Sequence, residues 1–144
     1  MHKILIVDDS DNIRFTFKSA FSAEYAVLTA SEGLAAVELV KTERPDLVFL
    51  DINMPGISGV EALKLIKATG VPAVVWMLTG VEDLTVVMKT LTMGASGYIT
   101  KPFDVVSLRR IVLNAVTDLE GGEKPSDKPW TVKKKGAGPG PGAV

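Results

Sequence analysis

Cysteine is absent from the 144 residues, which removes disulfide staples, thiolate metal sites and cysteine nucleophiles together. Histidine occurs once, as His2, so a zinc or copper site built on imidazole has no ligands. No apolar run approaches the roughly 20 residues needed to cross a bilayer. The start, Met1-His2-Lys3-Ile4, runs into a short apolar stretch with no signal-peptide core and no cleavage pattern. An excess of charge is lacking too: 16 Lys and Arg stand against 17 Asp and Glu, for a formal net charge of -1. Such a balance favours neither nucleic acid nor an anionic membrane surface. The expectation is a soluble, cytoplasmic protein.

What is present supports a packed core, with 47% hydrophobic and 23% charged residues, far from the composition of a disordered chain. The length suits one domain of about 100–150 residues with a modest tail. A composition change after Leu119, to Gly121-Gly122, Pro125, Pro129, Lys133-Lys134-Lys135 and a Gly-Pro run, reads as a flexible tail or linker. The expected division is therefore a folded domain over 1–120 and a tail over 121–144. Trp130, the one large apolar group of that tail, reads as incidental.

Ile4 to Val7 is an unbroken apolar run ending in Asp8-Asp9, as expected of a strand buried on both faces whose C-terminal end meets water. Ser10, Asp11 and Asn12 are all plausible caps for a helix with Ile13, Phe17, Ala20 and Phe21 on one side. The alternation repeats with a strand over Tyr25 to Thr29 and a helix beginning at Ser31, stopped by Pro45. Leu47 to Leu50 is a second wholly apolar strand and it too ends in an acid, Asp51. A turn at Asn53-Met54-Pro55-Gly56 leads to a helix capped by Ser58. Ala73 to Leu78 forms a fourth strand closing on Thr79-Gly80, and a helix through Val87 and Leu91 ends near Gly94. Gly97 to Thr100 gives a fifth strand before Lys101-Pro102. Asp104 caps a last helix with Leu108, Ile111, Val112, Ala115 and Leu119 inward. Five strands alternating with five helices predict an α/β, doubly wound parallel sheet covered on both faces, with its binding crevice beyond the carboxyl ends of the strands.

Asp8, Asp9 and Asp51 all fall at those ends. Three carboxylates held close repel one another, and one divalent cation plus one lysine, Lys101, would supply three compensating charges. An all-oxygen ligand set suits magnesium. An Asp carboxylate can attack phosphorus to give an acyl phosphate. Phosphoryl transfer is catalysed mainly by positioning and by neutralising the equatorial oxygens, which the metal, the Lys101 ammonium and the Thr79 hydroxyl could each face.

Together, Asp8-Asp9, Asp51-Ile52-Asn53-Met54-Pro55-Gly56, Thr79-Gly80, Tyr98 and Lys101-Pro102 resemble the receiver domain of two-component response regulators, over residues 1 to about 120. The resemblance implies a flavodoxin-like, CheY-like sheet in the order 2-1-3-4-5. It implies Asp51 as phosphoacceptor, and Mg2+ held by Asp9, Asp51 and the Asn53 backbone carbonyl, with Asp8 acting through water. Lys101 and Thr79 would hold phosphoryl oxygens, Thr79 and Tyr98 would form the switch, and the Lys101-Pro102 bond would be cis. Gly80 departs from the commoner alanine, and Val81 occupies a position that tunes phosphate lifetime in relatives. The implied partners are a sensor histidine kinase or histidine phosphotransfer protein, and a downstream target or removed output domain. The target or output domain would read a face built from the fourth helix, fifth strand and fifth helix, where Lys89, Arg109 and Arg110 lie and where a homodimer could form.

Other functions meet obstacles. A magnesium phosphohydrolase with an aspartyl-phosphate intermediate usually carries an acid two residues after the nucleophile, where this chain has Asn53. A flavin site needs a glycine- or hydroxyl-rich phosphate cradle after the first strand, and here that loop is acidic. Direct DNA binding lacks a helix-turn-helix pattern and a basic face, and Lys133 to Lys135 is too short a run. An interaction module that is never phosphorylated stays open at this stage.

Overall fold

The computed structural model describes residues 2–121, so Trp130 and Lys133 to Lys135, with nearly all of the expected tail, lie outside the described residues, as does the side chain of Val81. Elements follow in the order β1 (Lys3–Val7), α1 (Asp11–Phe21), β2 (Ala26–Ala30), α2 (Gly33–Glu43), β3 (Leu47–Asp51), α3 (Gly59–Ala68), β4 (Val74–Thr79), α4 (Leu84–Thr92), β5 (Gly97–Thr100) and α5 (Val105–Gly121). A short 3-10 turn at Val81–Asp83 precedes α4. The five strands are all parallel, in the order β2-β1-β3-β4-β5.

Alternation along the strands divides the core in two. Leu5, Val7, Val48, Leu50, Val75 and Met77 face one way, against Ala36 and Val40 of α2, Leu63 and Ile66 of α3 and Val87 of α4. Ile4, Ile6, Phe49, Trp76 and Leu78 face the other, against Phe17 and Phe21 of α1 and Leu108, Ile111 and Val112 of α5. Both faces are thus apolar, which accounts for the unbroken hydrophobic runs in β1, β3 and β4. Trp76 and Met77 are core residues, as expected.

Boundaries shift by a residue or two. Tyr25 is outside β2 because its N–H bonds the Phe21 carbonyl at the end of α1 and its ring leans on Phe21, with centroids 6.2 Å apart. The second helix begins at Gly33 rather than Ser31, with Glu32 in the cap position and no side-chain capping bond. At α1 the cap is Ser10, whose hydroxyl accepts from Ile13 N at 3.3 Å. Ser58 and Glu61 form a reciprocal capping box at α3, and Asp104 accepts from Ser107 N at 2.7 Å at the start of α5.

Candidate functional site

The strands β1, β3, β4 and β5 end side by side, and the polar residues that follow their apolar runs share one rim. Asp51 is the last residue of β3, paired with Leu78 of β4, while the β1 pairing ends one residue earlier at Leu50. Its side chain is buried, only 4% of the residue being exposed. Beneath it α3 packs as closely as a backbone can: a Cβ on Gly59 would lie 2.6 Å from Ile52 Cα and collide with the Asp51 carbonyl. Glycine is therefore required where α3 starts.

Asp8 follows β1 and is fully buried. Its Oδ1 accepts from Ser10 N at 2.9 Å, and its carbonyl accepts from Arg14 Nη1 at 2.6 Å. Lys101, just past β5, places its ammonium 2.9 Å from Asp8 Oδ2 and 3.2 Å from Asp51 Oδ2. The Asp8 contact is close but angled, so that Oδ2 has an ion-pair partner without a well-aligned hydrogen bond. Lys101 is itself anchored by its N–H, which donates to the Thr79 carbonyl at 2.7 Å, and the Lys101-Pro102 bond is cis. Asp9 is exposed at the mouth.

Oxygens of Asp8, Asp9 and Asp51 lie within 4.8 Å of one another. Burial, and then the charge of Asp8, push the Asp51 carboxyl up from 3.8 to about 6 in spite of the opposing pull of Lys101. For Lys101, burial alone would lower the pKa, and the close contact with Asp8 together with the charges of Asp51 and Asp8 more than reverses it, so it stays an ammonium. Three carboxylates against one ammonium leave two negative charges unbalanced. A hard divalent cation with oxygen preference fits that deficit and that donor set, including the poorly aligned Asp8 Oδ2.

Thr79 ends β4 and is buried, its hydroxyl donating to the Gly80 carbonyl at 2.9 Å. Asn53 donates its backbone N–H to Asp51 Oδ1 at 3.2 Å and its side-chain amide to Asp83 Oδ2 at 2.7 Å. Tyr98 is half-buried on β5, packed beside the α2–α3 core and bordering a surface cleft of about 250 Å³ shared with Pro102, Asp104 and Ser107. Arg109, expected on the face beside α4, turns instead toward α1: it bonds the Ala20 carbonyl at 2.8 Å, pairs with Glu24 at 3.2 Å and lies 5.6 Å above the Phe21 ring centre. The carboxylates and Lys101 thus converge as the sequence suggests. Arg14 and Asp83 escaped that reading, since a helix arginine and a turn aspartate carry no pattern of their own.

A family model described as the response regulator receiver domain matches residues 4–113. The chain belongs to this family. Among curated relatives it is 39% identical over 111 residues to sporulation initiation phosphotransferase F of Bacillus subtilis, covering 76% of this chain and 90% of that protein. Chemotaxis protein CheY of Halobacterium salinarum is 36% identical over 118 residues, covering 81% and 95%. A crystal structure of a CheY-like response regulator receiver domain protein from Methanospirillum hungatei superposes with a TM-score of 0.79 at 26% identity, covering 85% of this chain and 98% of that one. The five-stranded order seen here is that of the CheY-like, flavodoxin-like fold. Among the described residues no helix is long and apolar enough to cross a membrane.

Proposed function

We propose that Asp51 accepts a phosphoryl group and that this receiver domain works as a phosphorylation-dependent signalling switch. The observation that carries the reading is the buried Asp51 carboxylate with the Lys101 ammonium at 3.2 Å from one of its oxygens and two further acids beside it. In the reaction a carboxylate oxygen of Asp51 forms a bond to phosphorus. The bond from phosphorus to the donor breaks, and its electron pair leaves with the imidazole of a histidine kinase or phosphotransfer protein, or with acetate when acetyl phosphate is the donor.

Magnesium, held by Asp9, Asp51 and the Asn53 carbonyl with Asp8 acting through water, would supply charge neutralisation at the phosphoryl oxygens. Lys101 offers its ammonium to one oxygen. Thr79 offers its hydroxyl to another once that group leaves the Gly80 carbonyl, and Tyr98 follows into the space behind it. The changed surface of α4, β5 and α5 would then be read by a downstream protein, an output domain or a second copy of the chain. The cytoplasm and a domain boundary near residue 120 suit this role. The phosphotransferase name of the Bacillus relative supports phosphoryl-transfer chemistry. Asn53 speaks against a hydrolase, because it puts an amide engaged by Asp83, not an acid, two residues after Asp51.

Intact mass after incubation with acetyl phosphate and Mg2+ tests the reading. The parent should gain one phosphoryl group and Asp51→Asn none. Equal gain by both, or by neither, overturns it.

A further inference from the structure

The Gly80 carbonyl accepts two hydrogen bonds, from the Thr79 hydroxyl at 2.9 Å and from the Asp83 N–H at 3.1 Å. A carbonyl oxygen has two lone pairs, and here both are used. Across the mouth of the site, the Asp83 carboxylate accepts from the Asn53 side-chain amide at 2.7 Å, a contact between residues 30 apart in sequence. Asn53 in turn donates its backbone N–H to Asp51 Oδ1 at 3.2 Å. An unbroken hydrogen-bonded path therefore runs from Asp51 through Asn53, Asp83 and Gly80 to Thr79. The turn is also folded tightly on itself: a Cβ on Gly80 would meet the Glu82 carboxylate at 2.7 Å.

We infer that Asp83 is a positioning residue for phosphoryl acceptance, a latch that ties the turn after β4 to the loop after β3 and keeps the Thr79 hydroxyl on the Gly80 carbonyl. The inference rests on Asp51 being the acceptor. Thr79 can reach an incoming phosphoryl group only if its hydroxyl leaves Gly80, and that carbonyl belongs to the turn that Asp83 fastens. The Asn53 to Asp83 bond is charge-assisted and at the short end of the usual range, so it favours the resting arrangement. A phosphoryl group adds roughly 1.5 to 2 negative charges near a loop already holding an acid. The latch and the modified acceptor therefore oppose each other, and opening it shifts the population toward the engaged state.

The test compares the parent, Asp83→Ala and Asp83→Asn with acetyl phosphate and Mg2+, following intact mass with time. Asparagine keeps an oxygen that can accept from Asn53 but loses the charge, whereas alanine loses both. The expected result is faster phosphorylation of Asp83→Ala, by about three- to tenfold, the size of one modest hydrogen bond, with Asp83→Asn, which keeps a neutral acceptor, between it and the parent. Equal acceleration in both variants would mean that the charge of Asp83 acts alone, and no change in Asp83→Ala would mean no latch; either outcome overturns the inference. A second readout needs no phosphorylation: the 1H–15N signals of the Asn53 side-chain amide should move further in Asp83→Ala than in Asp83→Asn. Should the parent acquire no phosphoryl group, the acceptor reading fails, and these signals alone decide the latch: movement in the alanine variant supports it, and identical signals in all three proteins refute it.

Discussion

The Lys101 ammonium sits 3.2 Å from Asp51 Oδ2, yet the Asp51 carboxyl still titrates near 6, because burial and the neighbouring Asp8 charge outweigh that single cation. The Asp51 carboxylate is thus short of positive charge. Its cost to folding and the reactivity proposed for it would have the same origin.

That cost is measurable. A carboxyl whose folded pKa is raised from 3.8 to about 6 adds stability in full below the lower value and loses it as pH climbs through the higher one. Without metal, the parent should therefore weaken between about pH 4 and 6, by on the order of 1–3 kcal/mol. Asp51→Asn, neutral throughout, should lack that slope and be the more stable protein at pH 7. Urea denaturation with chelator at several pH values reads both, and added Mg2+ should stabilise the parent more than the variant. Identical pH profiles for the two would refute the electrostatic account.

Lys101→Met removes the cation that is paired with both the Asp8 and the Asp51 carboxylates. A buried charge left without its partner typically costs about 3–5 kcal/mol, and partial exposure of the ammonium reduces this to about 2–4. Because Asp8 and Asp51 raise the Lys101 pKa, its contribution is complete below the unfolded value of 10.5 and fades only as pH rises through the folded one. A double-mutant cycle with Asp8→Asn should return a coupling of at least about 1 kcal/mol. Strict additivity would show that the 2.9 Å contact carries no energy.

Gly59→Ala should be more damaging than an ordinary glycine replacement. Its methyl would meet backbone of Asp51 and Ile52, which cannot swing aside like a side chain. Overpacking of this kind costs about 1–3 kcal/mol, and here it would also displace Asp51. The variant should melt lower and take up phosphate more slowly; a melting temperature equal to the parent's would contradict the packing described.

Legibility followed the kind of signal each part of the chain carries. β1 and β3 were plain from their apolar runs, since a strand covered on both faces has no polar position to hide it. The acids at their ends were equally plain, because a switch from wholly apolar to acidic marks where a strand meets water. β2 was harder: all but its last residue are half-buried, so nothing in its pattern fixed whether Tyr25 ended a helix turn or began the strand. Ser31 suits a helix start by residue type, but only the path of the chain decides where the first turn forms, and it begins at Gly33 with Glu32 in the cap position. Arg109 falls on the face beside α4 by its place in the sequence, and only the folded positions of the Phe21 ring and the end of α1 show that they receive it. The bond between Asn53 and Asp83 was invisible for the same reason, because it depends on two loops from different crossovers meeting at one rim.

The strand that carries Asp51 is the middle of five, paired with β4 from Leu47 to Asp51 and with β1 from Leu47 to Leu50. The Asp51 carboxylate consequently hangs from an inner strand with a hydrogen-bonded neighbour on each side. Were Asp51 to take up the proposed phosphoryl group, the change would fall on the loops after β3 and β4, which the Asn53 to Asp83 bond joins. In that event the sheet would serve as anvil and the loops as spring.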